Sequence, residues 1–147
     1  MELNVDQALN FACTSGNKEI VELMVFFGAN NWNKAFPNAC LSGNRELVDY
    51  LICCGANNFE QALLSSFYSG NVDLIEFLIA KTKKTFNQAL VYASLSKNKK
   101  LIDYFISKRA TNLDSLLNNA CMDGNKELAE LYVSKGAKDF DLALSYV

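Results

Sequence analysis

Trp32-Asn33-Lys34-Ala35-Phe36-Pro37-Asn38-Ala39-Cys40-Leu41-Ser42-Gly43-Asn44-Arg45-Glu46-Leu47-Val48-Asp49-Tyr50-Leu51-Ile52-Cys53-Cys54-Gly55-Ala56-Asn57-Asn58 is one period of a pattern that runs through the chain. Gly43-Asn44 recurs as Gly16-Asn17, Gly70-Asn71 and Gly124-Asn125, with Lys97-Asn98 in the remaining place, always 27 residues apart. Gly55-Ala56 recurs as Gly28-Ala29, Arg109-Ala110 and Gly136-Ala137, and Thr82-Lys83 lacks it. A third column runs Ala8, Ala35, Ala62, Ala89, Leu116, Ala143. Three columns holding one period without an insertion define an internal repeat.

Each period reads as two helices. Asn4, Asn31, Asn58, Thr85, Asn112 and Asp139 can accept a hydrogen bond from an open first turn, and Gln7, Gln61 and Gln88 three residues later complete a capping box. Val5, Trp32, Phe59, Phe86, Leu113 and Phe140 follow the cap and anchor the incoming chain. Leu9, Phe36, Leu63, Leu90, Leu117 and Leu144 recur at helical spacing with the small column Ala12, Ala39, Ser66, Ala93, Ala120, giving one buried face. Glycine ends this helix, because it takes a left-handed turn without strain. Asn17, Asn44, Asn71, Asn98 and Asn125 cap the second helix. Its core face reads as Ile20-Val21, Leu47-Val48, Leu74-Ile75, Leu101-Ile102 and Leu128-Ala129, continuing one turn on through Met24-Val25, Leu51-Ile52, Leu78-Ile79, Phe105-Ile106 and Tyr132-Val133. Helices this short are marginal alone, so stacking of neighbours must supply their stability. The expectation is one all-α domain over residues 1–147: a helix-turn-helix solenoid of five 27-residue units and a partial sixth.

Composition fits this and excludes other classes. At 50% hydrophobic and 20% charged the chain is a folding one, and a net charge of -2 gives no general attraction to nucleic acid or anionic membrane. No apolar run approaches the roughly 20 residues of a membrane span. The N-terminal residues have no basic segment leading into an apolar core, so they do not read as a secretory signal. Five cysteines without a framework spacing point to a reducing compartment, and the cytoplasm is the expected location. Histidine is absent, which removes the commonest acid–base residue and zinc ligand. No nucleophile has a base partner, and Cys53-Cys54 match no relay or redox spacing. An enzyme, a metal site and a cofactor are therefore not expected. Cys13, Cys40 and Cys121 read as small buried hydrophobes. Glu22, Asp49, Glu76, Asp103 and Glu130 read as a solvated ridge on the second helices.

The period resembles the ankyrin repeat. Gln7-Ala8-Leu9-Asn10-Phe11-Ala12-Cys13 falls on that family's Thr-Pro-Leu-His-x-Ala-Ala, Gly16-Asn17 on its Gly-His and Gly28-Ala29-Asn30 on its Gly-Ala-Asp. The resemblance covers Val5–Asn31, Trp32–Asn58, Phe59–Thr85, Phe86–Asn112 and Leu113–Asp139. It departs in two respects. The family unit has about 33 residues, and the shortfall lies where its β-hairpin finger would be, so short loops without fingers are expected. The Thr-Pro-Leu-His tetrapeptide is missing, and with it the histidine–threonine bonding that ties family units together. Short, asparagine-rich units of this kind are similar to those of large DNA viruses and some parasitic protists, which would place the protein in host cytoplasm. The resemblance implies non-catalytic protein recognition through the concave, first-helix side.

Two residues before each Gly-Asn stand Thr14, Leu41, Tyr68, Leu95 and Met122, beside the column Ser15, Ser42, Ser69, Ser96, Asp123. Leu41, Tyr68, Leu95 and Met122 with Tyr92 read either as an apolar ladder rimmed by serines, the anatomy of a partner-binding patch, or as packing between units. Residues 81–109 carry eight bases (Lys81, Lys83, Lys84, Lys97, Lys99, Lys100, Lys108, Arg109) against one acid, Asp103. This band could meet an acidic partner or an RNA backbone, or be ordinary solvation. No interleaving of aromatic and basic residues supports RNA. Phe26-Phe27 and Cys53-Cys54 read as a self-association patch or as residues under a neighbouring loop. The half-unit Phe140–Val147 reads as a one-helix cap, a self-association edge or part of a longer array. Binding of another protein is the leading function, and a structural, self-assembling repeat protein is the alternative.

Overall fold

The two apolar faces of each period fold onto each other as a pair of short helices. In the computed structural model, which describes residues 4–138, these are α1 (Val5–Ser15) and α2 (Lys18–Phe26), α3 (Trp32–Ser42) and α4 (Arg45–Cys54), α5 (Phe59–Ser69) and α6 (Val72–Thr82), α7 (Phe86–Leu95) and α8 (Lys99–Ser107), and α9 (Leu113–Met122) and α10 (Lys126–Ser134). No strand occurs among the described residues. Loops are short where fingers would stand. The architecture is the expected all-α solenoid of paired, stacked helices.

The chain divides into two compact units, one ending at Lys83 and one starting at Lys84. In the first, α1 packs on α3 and α3 on α5, while α2, α4 and α6 each pack on the helix before them. Its core joins Leu9, Phe36 and Leu63 of the first helices to Val21, Leu47, Leu51, Leu74 and Leu78 of the second. In the second, α7 pairs with α8 and α9 with α10. Leu90, Leu101, Phe105, Leu117 and Tyr132 fill that core.

All five second-helix caps are as expected. Asn17, Asn44, Asn71, Asn98 and Asn125 accept from the backbone N–H of Ile20, Leu47, Leu74, Leu101 and Leu128. The first-helix column behaves differently. Asn4 caps its helix, and Thr85 with Gln88 forms the capping box, but Asn31, Asn58 and Asn112 make no side-chain cap. Asn58 instead donates its amide to the Asn33 carbonyl at 2.7 Å, and Asn112 donates to that of Asn87 at 3.0 Å. Pro37 lacks the N–H that would normally reach the Asn33 carbonyl, which leaves that acceptor to Asn58.

The ties between periods thus run through asparagine and aspartate. Asp6 accepts from the N–H groups of Asn30 and Asn31, Asn33 from Asn57, Asn87 from Thr111 and Asp114 from Lys138. On the opposite side of the helix pair, Asn44 and Asn71 donate to the carbonyls of Gly16 and Gly43, each at 2.9 Å. These bonds stand in place of the missing histidine–threonine contacts. Asn44→Ala should therefore cost about 2 kcal/mol, one part for the cap and one for the orphaned Gly16 carbonyl, whereas Asn17→Ala, which loses only a cap, should cost about half of that. Urea denaturation of the two variants checks the ratio, and equal losses would count against the Asn44 tie.

Where the register loses its glycines, non-glycine residues take the left-handed turn. Lys97 (φ 56°) and Arg109 (φ 65°) replace glycine directly. After α6 the turn moves one residue on, to Lys83 (φ 55°). Each left-handed non-glycine residue costs about 1–2 kcal/mol, so strain gathers just before the fourth period, between its two helices and after the second of them.

Candidate interaction surface

A side chain two residues before the αL turn sits on the last turn of a first helix, pointing away from its paired second helix. In the first unit Leu41 is 41% exposed and Tyr68 65%; in the second, Leu95 is 64% and Met122 61%. Tyr92 is half-buried. Four of the five residues singled out from the sequence thus present apolar surface to solvent. Phe11, exposed at 67% on α1, stands three periods before Tyr92 at the same position of the repeat.

The serines beside them are engaged within their own helices. Ser15, Ser42, Ser69 and Ser96 donate to the carbonyls of Ala12, Ala39, Ser66 and Ala93, three residues back. Ser42 and Ser69 also accept from the N–H of Asn44 and Asn71. They tie off helix C-termini, a local use that competes with solvent contact. Asp123 is the exception, since a carboxylate cannot donate.

In the second unit the first helices α7 and α9 stand apart where α1, α3 and α5 approach closely. Between them lies a cavity of about 180 Å³, its apolar lining including Leu95, Leu116, Met122 and Leu128, with the polar side chains of Ser94, Asn119, Asp123 and Tyr132 in its wall. Tyr132 stands in the core column otherwise filled by Met24, Leu51, Leu78 and Phe105, and its longer side chain reaches across to α7. There its hydroxyl is bonded to that of Ser94, which in turn donates to the Leu90 carbonyl. Burial pushes the Tyr132 hydroxyl up in pKa, and the Ser94 bond offsets this in part.

No other chemistry converges. Among the described residues no group of three or more His, Cys, Asp or Glu side chains could hold a metal ion. Burial pushes the Cys13 and Cys40 thiols up to about 12, the opposite of a nucleophile. Cys121 differs from the sequence reading in being only half-buried, as the penultimate residue of α9. Cys53 is exposed and Cys54 half-buried beside Tyr50. The regular acids take surface ion pairs, as in Lys18–Glu22, Arg45–Asp49 and Lys126–Glu130. The basic band is partly neutralised too, with Lys99 3.6 Å from Glu127. No described helix is long and apolar enough to cross a membrane.

No curated protein matches the chain. The family model of ankyrin repeats in three copies matches residues 36–115, a little over half of the chain. That match, on helix pairs without fingers and with asparagine ties of their own, makes this chain a member of the ankyrin-repeat family.

Proposed function

We propose that this non-enzymatic repeat scaffold is an interaction module that binds another protein through the exposed ends of its first helices. The supporting observation is the exposure of Leu41 and Tyr68 in one unit and of Leu95 and Met122 in the other, at one position of the repeat. Helices already fix the backbone that carries these side chains, so binding orders only the side chains themselves, and tyrosine is a frequent anchor of such contacts. The unbroken 27-residue register through Lys83 and Lys84 favours reading both units as one repeat domain. The absence of a disulfide framework favours a reducing compartment. If the likeness to viral and protist units reflects origin, that compartment is a host's cytoplasm and the partner a host protein.

Self-assembly is the second reading, favoured by Phe26, 82% exposed, and its neighbour Phe27. Their equivalents in other periods are small or lysine residues such as Ala80, Ser107, Lys81 and Lys108. A tagged pull-down with mass spectrometry separates the readings when run beside a folded Tyr68→Asp/Leu95→Asp variant. A partner held by the parent and lost by the variant, a reduction of tenfold or more for two buried anchors, supports the proposal. Recovery of this chain alone would move the function to self-assembly. Equal retention by both proteins would discard the first-helix surface.

A further inference from the structure

We infer that the cavity between α7 and α9 is a specificity pocket that takes one apolar side chain from the partner, with a lysine or arginine of the same segment meeting Asp123 at its mouth. This rests on the protein-binding reading and narrows it to a partner chemistry. Three features carry it.

The first is size. At about 180 Å³ the cavity is comparable to apolar cavities of roughly 150 Å³ that accept a benzene-sized group, so one leucine, methionine or phenylalanine side chain fills it. It opens between Leu95 and Met122, both exposed, so an entering side chain is gripped by residues already in solvent.

The second is the state of its polar wall. The Ser94 hydroxyl donates to the Leu90 carbonyl and is bonded to the Tyr132 hydroxyl. Both hydroxyls are already paired within the protein, and the other polar side chains of the lining, Asn119 and Asp123, are exposed to solvent, so an apolar occupant strands no buried polar group.

The third is Asp123 itself. It is the C-cap of α9, where the helix dipole is negative, and α9 has no basic residue in its last turn. Four periods put serine here and use it to bond a carbonyl; the fifth puts a carboxylate that cannot. That carboxylate pairs with no basic side chain among the described residues. A position that breaks both the repeat's rule and the dipole's, at the edge of a cavity, is explained by a cation arriving from outside.

The test uses random dodecapeptides displayed on phage, selected on the whole chain, with enriched peptides synthesised and titrated. The expected peptides carry Leu, Met or Phe within two positions of Lys or Arg. Ala120→Leu, which fills the cavity, should weaken them about tenfold or more. Asp123→Ser restores the residue of the other four periods and is expected to fold. It should weaken binding about threefold, and only at low salt. Asp123→Lys should invert the preference, favouring the same peptides with glutamate in place of the basic residue. Enriched peptides without the apolar–basic pair, or equal binding to parent, Ala120→Leu and Asp123 variants, would overturn the pocket. If those peptides are lost on Tyr68→Asp, protein binding stands and only the pocket falls. A selection that enriches nothing also overturns the pocket, and the lysate pull-down then decides the broader reading alone.

Discussion

Phe36→Ala is expected to cost about 3–5 kcal/mol, enough to consume much of a typical domain's stability of about 5–15 kcal/mol. The ring has no exposed surface and meets Phe59 edge-on at 5.7 Å between centroids. It belongs to α3, which packs on both α1 and α5, so the void left by truncation opens at two stacking contacts at once. Where stability is a sum of nearest-neighbour contacts, a central helix is the worst place to lose one. Phe36→Leu installs the residue found at Leu9, Leu63, Leu90 and Leu117, and should cost no more than about 1.5 kcal/mol. Urea unfolding followed by circular dichroism measures both. A loss below about 1 kcal/mol for the alanine variant would mean that α1, α3 and α5 do not share the core described.

The legible part of this fold consists of interactions closed within one period. Asn17 and its equivalents cap the helix three residues on, whatever lies beside them, and the sequence column states that outright. Asn58 and Asn112 sit in an equally clear column, yet their side chains serve Asn33 and Asn87, 25 residues back. Capping and bridging need the same residue type, and only the approach of the preceding period decides between them. The column Asp6, Asn33, Asn87, Asp114 kept the period as faithfully as the glycines did, and would have revealed the bridge had polar residues just inside the first helix been asked what they bond. The serine column is used locally for a related reason: a hydroxyl near a helix end reaches its own carbonyl first. The exposed apolar positions could be picked out because they follow from helical phase. The cavity beside Leu95 and Met122 could not, since it depends on how far α7 stands from α9, which the length of the Tyr132 side chain bears on and no local pattern encodes.

Raising the pH from 8 to 10 should remove about 3 kcal/mol of stability through two thiols alone. Burial pushes Cys13 from 9.0 to about 12, and burial together with the neighbouring Cys13 does the same for Cys40. Both side chains, on α1 and α3, are fully enclosed. The unfolded chain releases these protons near pH 9 while the folded chain holds them to about 12. Between those values the folded state binds more protons, so stability falls as pH rises. The contribution is complete below pH 9 and fades through 12, at about 1 kcal/mol or a little more per thiol for each pH unit within the window. Urea midpoints at pH 8, 9 and 10 measure it, with Cys13→Ala/Cys40→Ala as the reference. That variant should start lower, for want of the sulfur packing, but change far less with pH. If the parent is as flat as the variant, water reaches these thiols, and the close packing of α1 on α3 cannot be what holds the first periods together.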